Sequence, residues 1–187
     1  FISGSGYTGT WSVPLPWLDY QDYITRLVCE PGITDLGTIY EPFSNLKEVY
    51  LADTVVRVRT TFSGASKLEY VDFSKNLKEI WNGAFSGCPL TRISALPNSI
   101  TTIENGAFSN SAFEHITLPT KLEVIPDALF SGNGNLKSVT LGPNVKQIGL
   151  GQTEGPFYCC YSLTSINFPE GLEVIEKHAF GQCTSLT

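Results

Sequence analysis

Apolar residues along this chain fall at fixed offsets within a unit of about 23 residues. In Phe113-Glu-His-Ile116-Thr-Leu118-Pro-Thr-Lys-Leu122-Glu-Val-Ile125 they occupy positions 1, 4, 6, 10 and 13, and an aromatic follows near position 18 at Phe130. The same frame fits Leu163, Ile166, Phe168, Leu172, Ile175 and Phe180, and again Leu68, Val71, Phe73, Leu77, Ile80 and Phe85. It recurs at Ile24, Leu46, Leu90 and Leu136, giving seven copies, and an eighth opens at Leu186. Successive starts are 22, 22, 22, 23, 23, 27 and 23 residues apart. Positions 6 and 10 stay four apart and 10 and 13 three apart, as in Cys29-Ile33-Leu36, Leu51-Val55-Val58, Leu96-Ile100-Ile103 and Leu141-Val145-Ile148. Self-similarity at this period predicts a solenoid with one core layer per turn. A single copy buries too little to fold alone, so the turns must stack on one another.

The stretch from position 1 to 6 is rich in Ile, Val and Thr, which suits a short strand. Strands are expected at Ile24–Val28, Glu48–Tyr50, Glu69–Asp72, Arg92–Ser94, His115–Thr117, Ser138–Thr140 and Ser165–Asn167, forming one parallel ladder. Leu96-Pro97, Leu118-Pro119 and Phe168-Pro169 put a proline where the strand must stop donating hydrogen bonds. Positions 10 to 13 form a second extended or irregular piece, and the Ala-Phe stretch a single helical or 3₁₀ turn. Asn82-Gly83, Asn105-Gly106 and Gly132-Asn133-Gly134 supply tight turns. No segment keeps helical periodicity long enough for a long helix.

The consensus Leu-x-x-Ile-x-Leu-Pro-x-x-Leu-x-x-Ile-x-x-x-Ala-Phe-x-x-Cys-x-x-Leu resembles the BspA-like leucine-rich repeats of bacterial surface proteins. The match is best over Leu163–Leu186 and Leu68–Leu90 and extends over residues 24–187. The resemblance implies a right-handed leucine-rich-repeat solenoid, mainly β with irregular turns and few or no long helices. Residues 1–23, with Ile2-Ser-Gly-Ser-Gly6 and Pro16-Trp17, look like the N-terminal cap that precedes such repeats. Their Tyr7, Trp11, Pro14, Trp17 and Tyr20 would cover the first turn. Family members are mostly secreted or wall-attached, and some are implicated in adhesion to host matrix proteins or other cells. An extracellular, cell-surface location is therefore expected. Two copies depart from the pattern: Arg59-Thr-Thr-Phe62 replaces Ala-Phe, and Leu150-Gly-Gln-Thr-Glu-Gly-Pro156 adds residues to one turn. That added segment is expected to bulge from the edge, with Tyr158 or Tyr161 partly exposed.

Composition narrows the function. The net charge is −6, and no two Lys or Arg are adjacent, so a phosphate-tracking basic stripe is missing and nucleic acid is not an expected partner. No apolar run reaches the length of a membrane span, and no membrane insertion is expected in this segment. The chain contains no Met and opens without a signal peptide, as a processed export product would; because it stops inside a repeat, the natural polypeptide is expected to continue beyond Thr187. Of five cysteines, Cys88, Cys160 and Cys183 each lie three residues after the repeat aromatic, and Cys29 takes a position-6 place. They read as small buried residues stacked along the axis, with Cys159 set apart. A Cys160–Cys183 bridge is the alternative. No Cys-x-x-Cys pair, catalytic motif or phosphate loop occurs, so no metal, cofactor or enzymatic activity is expected. Glu123/Asp127 and Glu170/Glu173 read as a solvated acidic face.

The side chains flanking position 4 project from the strand face. Along the chain they are Arg26 and Val28, Glu48 and Tyr50, Tyr70 and Asp72, Arg92 and Ser94, His115 and Thr117, Ser138 and Thr140, and Ser165 and Asn167. Its first half is aromatic and charged, its second small and hydroxylic. Tyr and Arg are common interface anchors. Binding is therefore expected to centre on Glu48, Tyr50, Tyr70, Asp72, Arg92 and His115. The two tyrosines, on adjacent strands, could offer a stacking platform for a sugar or a peptide aromatic, or could simply pack on each other. Two functions fit: a monomeric adhesion module holding a host or neighbouring-cell protein or glycan, and a structural spacer displaying another domain.

Overall fold

The computed structural model describes residues 6–7, 18–39, 42–152 and 154–187. The chain winds as a parallel β-solenoid without an α-helix among the described residues. In chain order its strands are β1 (Gly6–Tyr7), β2 (Arg26–Val28), β3 (Ile33–Leu36), β4 (Glu48–Tyr50), β5 (Arg57–Val58), β6 (Tyr70–Asp72) and β7 (Glu79–Ile80). There follow β8 (Thr102–Ile103), β9 (His115–Thr117), β10 (Val124–Ile125), β11 (Ser138–Thr140), β12 (Gln147–Ile148), β13 (Ser165–Ile166) and β14 (Val174–Ile175). A 3₁₀ helix spans Leu18–Tyr23.

Every turn but the fourth contributes a strand to two ladders, not one. The first ladder is the expected strand face, and the second forms where positions 10 to 13 were read as extended or irregular. Both are interrupted. The first splits into β2-β4-β6 and β13-β11-β9, the second into β1-β3-β5-β7-β8 and β10-β12-β14. All pairings are parallel, and those between repeats keep their register, for example Glu48↔Tyr70 and Tyr50↔Asp72; only β1 on β3 shifts register, between Gly6 and Tyr7.

The expected strand at Arg92–Ser94 does not form. Its turn carries one residue more than the others between positions 4 and 6: Ile93-Ser-Ala-Leu96 replaces the Ile116-Thr-Leu118 type of spacing. Ile93 and Leu96 are both buried. Two backbone residues must then span the distance of one, and the local pairing is lost as at a β-bulge. The segment leaves one ladder and joins the next. Arg92 N–H still donates to the Glu69 carbonyl of the preceding turn at 3.2 Å, whereas Ala95 already bridges Thr117 of the following turn. In the second ladder, Pro126 stands where Arg59, Trp81, Glu104, Gly149 and Glu176 donate their N–H to the preceding turn, and it has none to give.

A column of phenylalanines runs through the core. Phe43, Phe62, Phe85, Phe108, Phe130, Phe157 and Phe180 follow one another with ring centroids 5.3–6.2 Å apart, and from Phe62 onward the planes lie within 17° of parallel. Phe73, Phe113 and Phe168 meet this column edge-on. The Arg59-Thr-Thr-Phe62 departure therefore leaves the stack intact. Two residues after each ring from Phe62 onward the backbone turns left-handed, at Gly64, Gly87, Asn110, Gly132, Cys159 and Gln182. At Gly87 an added Cβ would meet the Gly64 backbone of the turn before only at ordinary contact distance, so it is the positive φ that favours glycine there.

The cysteines do more than fill space. Cys88, Cys160 and Cys183 donate their thiols to the carbonyls of Phe62, Phe130 and Phe157 one turn earlier, at 3.0–3.2 Å. Asn133, at the equivalent place, donates to Phe108 and Phe130. All five cysteines are free. Burial pushes Cys29, Cys88 and Cys160 up to about 12 and Cys183 to about 11. Cys159 sits in the left-handed column with a partly exposed side chain.

The expected cap falls largely outside the described residues, including Trp11, Pro14, Pro16 and Trp17. Its β1 pairs with β3, while Tyr20 and Tyr23 project into solvent. The added residues before Phe157 do form a loop with Tyr161 exposed and Tyr158 half-buried, as expected. One expectation is overturned there. Asp127 is no part of a solvated face: it is buried, and its carboxylate accepts the Leu150 and Gln152 amides, tying the loop to the preceding turn.

Two outcomes follow from this packing. Phe108→Ala, which removes a ring stacked on both sides, is expected to cost about 3–5 kcal/mol in urea unfolding. Phe180→Ala, at the end of the column, should cost less than half as much. In the native protein a thiol reagent should titrate Cys159 alone within minutes, and all five thiols should react after denaturation.

Candidate functional site

The strand face gathers four of the six expected binding residues into one cluster. Alternation along β4 and β6 turns Glu48, Tyr50, Tyr70 and Asp72 outward while Val49 and Val71 enter the core. Tyr50 and Tyr70 meet edge to face with centroids 5.9 Å apart. The Arg26 guanidinium lies over the Tyr50 ring at 4.4 Å, and that of Arg92 over Tyr70 at 4.8 Å. Arg92 also reaches back two turns to Glu48, Nη1 to Oε1 2.8 Å, and Tyr50 Oη donates to the other Glu48 oxygen at 3.1 Å. The Arg92 and Tyr50 hydrogen bonds hold the Glu48 carboxyl below its ordinary value, and partial desolvation together with Glu48 pushes the Tyr50 phenol up. Tyr50 and Tyr70 thus pack on each other, each with a cation over its ring, which is a different geometry from a bare stacking platform.

Asp72 and His115 stand apart from that cluster. Among the described residues, Asp72 has no hydrogen-bond or ion-pair partner for its carboxylate. His115 Nδ1 lies 2.7 Å from Ser138 Oγ on the next strand. The fourth turn separates the two, and its diagonal path leaves a recess on each side. One, of about 480 Å³, is bordered by Tyr70, Asp72, Phe73, Arg92 and the 94–98 segment. The other, of about 410 Å³, lies between Arg92–Ser94 and Glu114–His115. Five of the six expected residues therefore either line these recesses or, like Glu48, hold Arg92 at their rim. Tyr50 is one strand removed.

A second charged cluster lies on the other ladder. Arg57 bridges Asp35 at 2.9 Å and makes a two-pronged contact to Glu79 at 2.6 and 2.9 Å. Arg59 binds Asp35 at 3.0 Å and lies over the Trp81 ring at 4.1 Å, and Trp81 Nε1 donates to Glu79 at 2.9 Å. Asp35 is almost fully buried. The signal was present in the sequence: Asp35, Arg57 and Glu79 alternate in sign at intervals of 22, which places them side by side on adjacent rungs. Each group is answered by another within the cluster, so its work is to bind the turns together. The Arg57 contacts hold the Glu79 carboxyl down at about 2. No group of three or more metal-ligating side chains converges among the described residues.

A parallel solenoid with a phenylalanine column and a repeat-registered strand face is the architecture of a leucine-rich-repeat protein. The model of the BspA type leucine-rich repeat region matches residues 56–187 with 6 copies, and the chain belongs to that family. Among solved structures, a leucine-rich repeat protein from Bacteroides ovatus is 29% identical with a TM-score of 0.72, over 83% of this chain and 41% of its own. One from T. pallidum is 22% identical with a TM-score of 0.74, over 88% of this chain and 78% of its own. A leucine rich cell surface protein from Faecalibacterium prausnitzii is 18% identical with a TM-score of 0.50, over 87% of this chain and 58% of its own. The chain thus spans less than half the length of the Bacteroides ovatus protein. No curated protein matches the sequence.

The Glu79 contacts set a pH dependence. Because its folded value lies below the ordinary 4.5, its contribution is complete above about pH 4.5 and is lost as pH falls toward about 2. Urea midpoints of wild type and Glu79→Gln should differ most at neutral pH and converge across that window.

Proposed function

We propose that this chain is a non-enzymatic binding module of the bacterial cell surface that holds a protein or glycan partner on its strand face. The observation that carries the reading is the broken ladder at the fourth turn, where Tyr70, Asp72, Arg92 and His115 frame two recesses on an otherwise regular face. The recess volumes fall within the roughly 300–1,000 Å³ typical of ligand sites. Membership of the BspA type family supports it, and the Faecalibacterium prausnitzii relative is by its description a cell surface protein. A second reading, a spacer whose repeats display another domain, is favoured by the way Arg26, Tyr50, Tyr70, Glu48 and Arg92 already satisfy one another.

The two readings separate in one experiment. Wild type and the double variant Tyr70→Ser/Arg92→Ser are screened against immobilised matrix proteins and glycans. The binding module predicts that hits weaken by at least about tenfold in the variant while its melting temperature stays within a few degrees. An unchanged set of hits, or none with wild type, would favour the spacer.

A further inference from the structure

The backbone around the fourth turn carries a second regularity, and one turn departs from it. At position 6 of successive turns the N–H donates forward to the next turn: Cys29 to the Tyr50 carbonyl, Leu51 to Asp72, Leu96 to Thr117 and Leu118 to Thr140, all at 2.9–3.0 Å. Even Leu141, where the ladder nears its end, finds the Asn167 side-chain oxygen at 2.6 Å. Phe73 holds the same position, and among the described residues its N–H makes no backbone hydrogen bond. Across the gap, Glu48, Tyr70, Arg92, Ser138 and Ser165 donate back to the preceding turn, but His115 does not. Thus the forward edge of β6 opens onto one recess at Phe73, while the backward edge of β9 is unpaired at the His115 N–H and held at Thr117 by Ser94 and Leu96. Such edges are templates for another strand.

We infer that the recess between β6 and the 94–98 segment receives a short extended peptide of a protein partner, which pairs its main chain with β6 and sets a Lys or Arg against Asp72. This rests on the proposed binding role of the strand face and narrows it to a protein ligand. Three observations point to that occupant. The unpaired Phe73 N–H, which continues β6, is a main-chain group in strand geometry, which a polypeptide satisfies in register and a sugar does not. The recess is large enough for a ligand and is lined by β6 and Phe73. Asp72 offers an unpaired carboxylate at its rim, whereas the nearby Arg92 is already neutralised by Glu48. The partner segment is therefore extended and basic.

The probe is an acetylated, amidated octapeptide of alternating threonine and lysine, titrated by calorimetry. Two controls accompany it: the glutamate-for-lysine peptide, and a version N-methylated at alternate backbone nitrogens. The basic peptide should bind, and both controls should bind at least about tenfold more weakly. Deletion of Ala95 restores the Ile-x-Leu spacing of the other turns, leaves every face residue in place and should close the recess; it is expected to abolish binding with the melting temperature kept or raised. Asp72→Asn, a surface change that leaves the fold alone, should weaken the basic peptide about tenfold and the acidic one not at all. Absence of binding at millimolar peptide, equal binding of the N-methylated form, or full binding by the well-folded Ala95 deletion would each overturn the inference. If partners found on the strand face are lost in Tyr70→Ser/Arg92→Ser but kept in the Ala95 deletion, the face binds by its side chains and the recess is not the site. If neither variant alters any binding, the face reading falls with it.

Discussion

The structure depends on seven phenylalanine rings stacked from Phe43 to Phe180. Each turn contributes one ring, and each ring must meet the ring before it at contact distance. That requirement fixes where every turn begins and ends in space and leaves the number of residues between the fixed points open. Two turns exploit the freedom in opposite places, with opposite results. Where extra residues lie outside the strands, at 150–156, a loop absorbs them and the buried Asp127 carboxylate ties it down. Where the extra residue lies within a strand, between Ile93 and Leu96, both flanking side chains stay in the core and the backbone must leave its ladder.

Most of this was legible in the sequence, and the gaps have physical causes. Positions 1, 4, 6, 10, 13 and the aromatic are core positions almost without exception until the last turn, where Phe168 and Ile175 are half-exposed. The missing strand at Arg92–Ser94 was also visible, since Ile93-x-x-Leu96 breaks the Ile-x-Leu spacing, but periodicity matched over a whole repeat tolerates one added residue while hydrogen-bond register does not. Position 12 carried a hidden message as well: Asp35, Arg57 and Glu79 are meaningful only when adjacent rungs are read across the ladder. Asp127 gave no such sign. Its burial follows from a loop a full turn later in the chain, and no local pattern reports that.

The strand face shows why outward-facing charge and aromaticity do not by themselves define a binding surface. Tyr50 and Tyr70 were candidates for a stacking platform, yet Arg26 and Arg92 lie over their rings, and Glu48 neutralises Arg92. What the cluster leaves unsatisfied is a carboxylate at Asp72 and main-chain groups at Phe73 and His115. The chemistry of the face is therefore set as much by the interrupted backbone as by the side chains on it, and the interruption traces to one residue of excess length in one repeat.

Residue-resolved amide hydrogen exchange in the free protein tests that central claim most directly. With the ladder broken at the fourth turn, the amides of Leu51, Leu96 and Leu118 should be protected by their forward hydrogen bonds, and those of Phe73 and His115 should exchange orders of magnitude faster despite lying between them. Uniform protection of position-6 amides through Phe73 would mean that the ladder is continuous and would contradict the account.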